Sequence, residues 1–256
     1  MTKTRALLAL LALAFSSAYA QAPAFEVASI TPCKPGTPEP PGEHMGLVQF
    51  TSPGGHFTAR ATSVKFLIEW AYGLQPAQLS GGPSWLAADR YDIVASAEGN
   101  PADEQMKQMA RTLLAERFHL QFHREQKPLP VYVISLGKNP PKLSPAKDSE
   151  PPSLRIAPQP GADQRTIHIV ATRYSLSRLA DAFARQMEVV VLNQTGLDGD
   201  YDFGFDLALD QNRPSVLDTA LLVGALREQL GFALKYEKVP VDVMVVDHAD
   251  PVAAGN

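Results

Sequence analysis

Seven residues in two short runs carry the side chains best suited to holding a ligand: Trp85, Asp89, Arg90 and Tyr91 in one, Asp200, Tyr201 and Asp202 in the other. Trp85, with Tyr91 and Trp70, could form an aromatic platform for a sugar or peptide, and Asp89-Arg90 could clamp a ligand carboxylate. Each has a plainer reading. A tryptophan after a tight Gly81-Gly82-Pro83 turn commonly plugs a core, and adjacent opposite charges pair on a surface for little energy. Asp198, Asp200 and Asp202 alternate as the start of a calcium loop does. The EF-hand version would then need Gly and Glu where Phe203 and Leu209 stand, so no metal site is expected. Read plainly, those aspartates bind backbone at a turn while Tyr201 and Phe203 enter the core.

His119 and His123 have the spacing of a helical metal pair. Phe118, Leu120 and Phe122 alternate with them, however, which predicts a strand with the histidines about 13 Å apart, too far for one ion. Ser135-Leu-Gly-Lys138 and Ser144-Pro-Ala-Lys147 match a serine-lysine nucleophile pattern, but lie at a strand end and in a proline-rich stretch rather than at a helix start. No catalytic residue and no cofactor is assigned. A hydrolase working through Asp200 and Asp202 stands only as a third reading.

The elements that must position these residues are written twice. Ser63 to Tyr72 and Ser175 to Ala184 share a helix pattern, with apolar residues at Val64, Leu67, Ile68, Ala71 and at Leu176, Leu179, Ala180, Phe183, 112 positions apart. Asp89 to Ile93 returns as Gly199 to Phe203, Leu114 to Leu120 as Leu226 to Phe232, and Leu129 to Ile134 as Val239 to Met244. The expected fold is α+β: two tandem related subdomains, each with two helices packed on a small mixed sheet. Ser63 is placed to cap its helix and Gly73 to end it. The predicted division is a signal peptide over 1–20, a first α+β repeat over 21–137 with an N-terminal strand and a Pro-rich loop, a Pro-rich linker over 138–165, and a second repeat over 166–256. Seven prolines and no periodicity give that linker its extended, solvated character.

Lys3 and Arg5, the apolar run Ala6 to Phe15 and the small-x-small site Ala18-Tyr-Ala20 read as an export signal, which places the mature chain in the periplasm or outside the cell. That run is too short to cross a bilayer, which takes about 20 apolar residues, and no other stretch comes close. One cysteine, Cys33, excludes an internal disulfide. With 23 basic and 27 acidic residues, a net charge of -4, nothing favours nucleic acid as a partner.

Phe25 to Ile30, Ser80-Gly-Gly-Pro-x-Trp85, Asp89-Arg-Tyr-Asp92, Thr195-Gly-Leu197 with Tyr201-Asp-Phe203, and Val243 to His248 together give the chain its likeness. It resembles the soil-associated bacterial protein family of unknown function, whose members are exported and whose domains also occur beside sensor-type membrane metallopeptidases. The chain has no His-Glu-x-x-His, so that peptidase activity is not implied. Thr172 to Asp247 is similar in rhythm to the short N-terminal domain of secretins and TonB-dependent receptors, which implies docking of a protein partner. The expected function is an exported, non-enzymatic interaction or sensing module with an envelope protein as partner. The alternative is a small-ligand or glycan binder with Trp85, Tyr91 and Tyr201 lining a cleft between the repeats.

Overall fold

The computed structural model describes residues 22–40, 51–52, 54–147, 152–158, 166–208 and 219–252. The run read as an export signal lies outside them. Helices and strands are mixed along the chain, and the fold is α+β.

The first half runs β1 (Val27–Pro32), β2 (Thr51–Ser52), β3 (His56–Ser63), α1 (Val64–Tyr72), a 3-10 turn (Pro76–Gln78), β4 (Leu79–Gly81), α2 (Trp85–Ala88), β5 (Arg90–Ser96), α3 (Asp103–Arg117) and β6 (Gln121–Leu136). The second half follows the same order without the 3-10 turn and α2. It runs β7 (Ser144–Pro145), β8 (Ser153–Pro158), β9 (Thr166–Ser175), α4 (Leu176–Met187), β10 (Val190–Asn193), β11 (Asp200–Ala208), α5 (Thr219–Ala225) continued by a π turn (Leu226–Leu230), and β12 (Phe232–His248). Local chemistry starts the two corresponding helices alike. The Ser63 hydroxyl accepts from the Phe66 amide and the Ser175 hydroxyl from the Arg178 amide, each answering a first-turn donor. Both helices end on a left-handed residue, Gly73 and Glu188.

Two outer antiparallel sheets, ordered β1-β5-β3-β2 and β7-β11-β9-β8, are built to one plan. Tyr91 stands opposite Pro32 and Thr62, and Tyr201 opposite Pro145 and Tyr174. In both sheets the inner pair breaks register just beyond that tyrosine, where Ala61 (φ 48°) and Arg173 (φ 45°) take left-handed conformations. An aspartate holds each bulge. Ala61 N–H donates to Asp92 Oδ1 at 2.8 Å, and Arg173 N–H to Asp202 Oδ1 at 2.9 Å. Residues 138–165, expected to be a linker, contribute β7 and β8 to the second outer sheet. β7 is two residues long and too short to carry a period, and β8 alternates only over Ser153-Leu-Arg-Ile156; β11 and β9 supply the ladder that orders them.

The third sheet, ordered β10-β6-β12-β4, draws on both halves. In place of one mixed sheet per half, the two halves share this one. β6 and β12 pair antiparallel along almost their full length, and Leu129 meets Val239, its counterpart in the other half. A pseudo-two-fold axis therefore passes between those two residues. β10 joins β6 in parallel, and β4 joins β12 in parallel. The far end of each long strand lies in the other half's core. Met244 and Val246 of β12 pack with Phe57, Leu67, Tyr91, Leu114 and Phe118, while Ile134 of β6 packs with Leu179, Phe183, Phe205 and Phe232. Each fully buried Leu, Ile or Phe in these cores contributes about 1.5–3 kcal/mol. Gly81 fits where β4 meets β12 because it has no side chain: a methyl there would lie 2.7 Å from the Val246 carbonyl oxygen. Among the described residues no helix is long and apolar enough to cross a membrane.

Candidate functional site

Alternation along β9 and β11 sends Ile169, Ala171, Phe203, Phe205 and Leu207 into the second core and leaves His168, Val170, Thr172, Gly204 and Asp206 on the outer face. On that face lies an open groove of about 450 Å³, lined among others by Lys147, His168, Val170, Thr172, Asp202 and Gly204. Its floor is Gly204. At the corresponding place of the first outer sheet stands Val94, 57% exposed, which covers that face with its side chain. A methyl on Gly204 would meet the Ile169 carbonyl oxygen at 3.2 Å and His168 Cε1 at 3.6 Å, so a side chain here would sit in the groove.

One wall is a paired imidazole. His168 Nδ1 lies 2.6 Å from Asp206 Oδ1, and these two residues face each other across the β9-β11 ladder. With Nδ1 tied to the carboxylate, Nε2 is left for a ligand. Asp206 is held in turn through its backbone: its N–H donates to Gln229 Oε1 and its carbonyl accepts from Gln229 Nε2, both at 2.8 Å. Thr172 is the groove's hydroxyl, four residues along the same strand from His168 and about 13 Å away, out of reach of its ring nitrogen. The groove can thus bind by hydrogen bonds, by the Lys147 ammonium and by contact with its apolar floor. It does not place a nucleophile beside a base.

Of the seven residues singled out in the sequence, Asp202 lines this groove, with one carboxylate oxygen spent on the bulge amide. Trp85 and Tyr91 meet in the first core, both against Phe118, at 6.4 Å stacked and 5.4 Å edge-on. Tyr91 is 2% exposed, and burial pushes its hydroxyl pKa up. Tyr201 packs on the second core, donating to the Asp198 carbonyl at 3.0 Å. The structure does not bring these three aromatic residues together, and the halves meet through a sheet. Arg90 lies 3.6 Å from Glu39, and Asp89 ends α2, its N–H donating to the Trp85 carbonyl. Asp200 is exposed, with its carbonyl accepting from Ala146 N–H. His119 precedes β6 rather than lying in it, as a left-handed residue (φ 46°) just after Phe118, which caps the end of α3. It meets Asp250 at 3.1 Å, while His123 meets Asp247 at 2.9 Å. His248 also reaches Asp250, whose carboxyl is held below its usual range chiefly by that hydrogen bond. Among the described residues no group of three His, Cys, Asp or Glu side chains could hold a metal ion.

A second polar cluster joins the halves. Glu69 of α1, 3% exposed, forms an ion pair with Arg185 of α4, whose guanidinium also lies 4.8 Å over the Phe66 ring. Burial pushes the Glu69 carboxyl above its ordinary range although Arg185 and Lys65 pull it down. Nearby, the Gln75 amide bonds both peptide groups of Val191 at 2.8 Å and donates to Asp181 Oδ1 at 2.9 Å. Gln75 closes the open side of β10 as Gln229 does that of β11.

Lys147, His168, Gly204, Asp206 and Gln229 were not apparent in the sequence. The signal was present in one place: setting Tyr91-Asp-Ile-Val94 over Tyr201-Asp-Phe-Gly204 exposes a valine replaced by glycine on an outward position.

No curated protein and no solved structure matches the chain. Residues 65–249, from the start of α1 to the end of β12, match one family, and the chain belongs to it: the protein family of unknown function DUF3738.

Proposed function

We propose that this protein is an exported, non-enzymatic interaction module of the cell envelope, built by internal duplication into two α+β subdomains. In this reading it holds a segment of a polypeptide partner on the outer face of its second outer sheet. The observation that carries the reading is the asymmetry of two faces built to one plan. Val94 fills the first face, whereas Gly204 leaves a groove in the second, walled by His168, Thr172, Asp202 and Lys147. A pocket beside a ladder of strands suits extended polypeptide, whose side chains alternate at strand spacing. Export rests on the basic, apolar and small-residue run of the first twenty positions.

The test is photo-crosslinking from Thr172 in envelope extract, with Gly204→Val as the control. That substitution gives the second sheet the residue that the first already carries. A discrete crosslinked protein that disappears in Gly204→Val, at unchanged melting temperature, is the expected result. Equal capture by both proteins, or none by either, removes the groove as the binding face.

A further inference from the structure

In the first half, β1 covers the outer edge of β5 from Tyr91 to Ser96, and the chain before β1 continues the cover as Glu26 N–H donates to the Ser96 carbonyl at 2.9 Å. In the second half, β7 covers β11 at Tyr201 and Asp202 alone. The chain leading into β7 is held elsewhere. Gly137 N–H donates to the Gly231 carbonyl and Lys142 N–H to the Leu230 carbonyl, and Pro140 and Pro141 have no N–H to give a ladder.

Alternate residues of a strand turn their peptide groups to the same edge. Asp200 shows the direction toward β7, because its carbonyl accepts from Ala146 N–H. Asp206 turns both of its groups the same way, and there the Gln229 amide meets them. The Gln229 amide holds the position of the β1 peptide: the Ser96 carbonyl takes Glu26 N–H, and the Asp206 carbonyl takes Gln229 Nε2. Between these two points lies Gly204, facing the same edge. Among the described residues no strand pairs with it on that side.

We propose that the β11 edge from Gly204 to Ala208 receives an extended segment of the partner polypeptide, antiparallel to β11 in the place β1 fills in the first half, displacing the Gln229 amide. This rests on the reading that the groove face binds a polypeptide, and it adds the mode. A strand added about 4.8 Å from β11 carries its outward side chains alongside the groove. The residue opposite Gly204 needs both peptide groups, which excludes proline. An apolar side chain there covers the groove floor, and Lys147 at the rim favours an acidic neighbour.

The test is amide hydrogen exchange on the full chain, alone and with a synthetic peptide of its own residues 24–32 as the probe strand. Alone, Gly204 and Ala208 exchange about as fast as open loops and Asp206 at least about tenfold slower. The probe slows all three, and Gln229→Ala binds it at least about fivefold tighter, since the probe then has neither of the two amide hydrogen bonds to displace. Gln229→Glu, which keeps the acceptor for Asp206 N–H, serves if the alanine variant misfolds and gives the same direction. Strong protection of Gly204 in the chain alone overturns the proposal, because the edge is then already covered. Protection appearing at β8 or β5 instead, or equal probe binding with and without Gln229, overturns it too. If Gly204→Val abolishes crosslinking while the edge amides ignore the probe, the groove reading stands and strand addition falls.

Discussion

Removing Arg185 tests how the two halves are held together. Its guanidinium side chain is 12% exposed and its partner Glu69 4%, so Arg185→Leu leaves a carboxylate inside the junction with no ion partner in contact among the described residues. Breaking a buried pair from one side costs about 3–5 kcal/mol, which for a chain of this size lowers the melting temperature by roughly 6–20 °C. The loss depends on pH with a definite sign. Burial raises the Glu69 pKa in the folded protein above its unfolded value. The folded state therefore holds that proton more tightly, and stability is fullest below the ordinary carboxylate value and falls as pH rises through the displaced one. Without Arg185 the opposing pull is gone and the displacement grows. The deficit of Arg185→Leu is thus largest near neutrality and shrinks toward about pH 4. Glu69→Leu with Arg185→Leu removes the stranded charge and returns within about 2 kcal/mol of the parent. Thermal and urea unfolding from acid to neutral pH measure all three proteins. A deficit for Arg185→Leu below about 1 kcal/mol, or one equal at both ends of that range, would refute the reasoning by showing that water reaches Glu69.

The two bulges should respond alike. Asp92→Ala and Asp202→Ala each remove a charged acceptor from a left-handed residue's amide and should cost about 1.5–3 kcal/mol by urea unfolding, and a silent variant at either site would mean that its bulge holds without the clamp. Divided between β6 and β7, the chain should yield two fragments that are unfolded alone by circular dichroism and regain the native spectrum as a one-to-one mixture, since each core needs the other fragment's strand; a fragment that folds by itself contradicts that dependence.

Much of the local structure was legible because its causes are local. The hydroxyls of Ser63 and Ser175 meet the next turn's amides, and the apolar spacing that follows them can read only as a helix face. The strands β7 and β8 were not legible: Ser144-Pro145 owes its conformation to β11, far along the chain, and Ser153 to Pro158 lies among prolines and is ordered by its ladder with β9. Matching segments reveal that two parts correspond, but not which pairs with which. Nothing in Leu129 or Val239 announces that they face each other, and strand exchange between the halves follows from that pairing. The candidate site was hidden for the same reason. His168 and Asp206 are 38 positions apart and become a pair only in a specified register, and the groove depends on a side chain that Gly204 lacks.

The long antiparallel pairing also dictates an order of events in time. His248 lies opposite Gln121, and Phe122 opposite Val246, so β6 must wait for almost the whole remaining chain before its ladder can close. Neither core is complete until β12 exists, and the chain cannot fold piece by piece as it is made. Contacts of such separation slow the search for the native state, and until β12 is made the whole edge of β6 that it covers lacks its partner. Its charged stretch Arg124-Glu-Gln-Lys127, followed by Pro128 and Pro130, falls in the first half of that strand. Charges and prolines there discourage premature pairing with a second chain, so the residues that look least like a strand protect the one that waits longest.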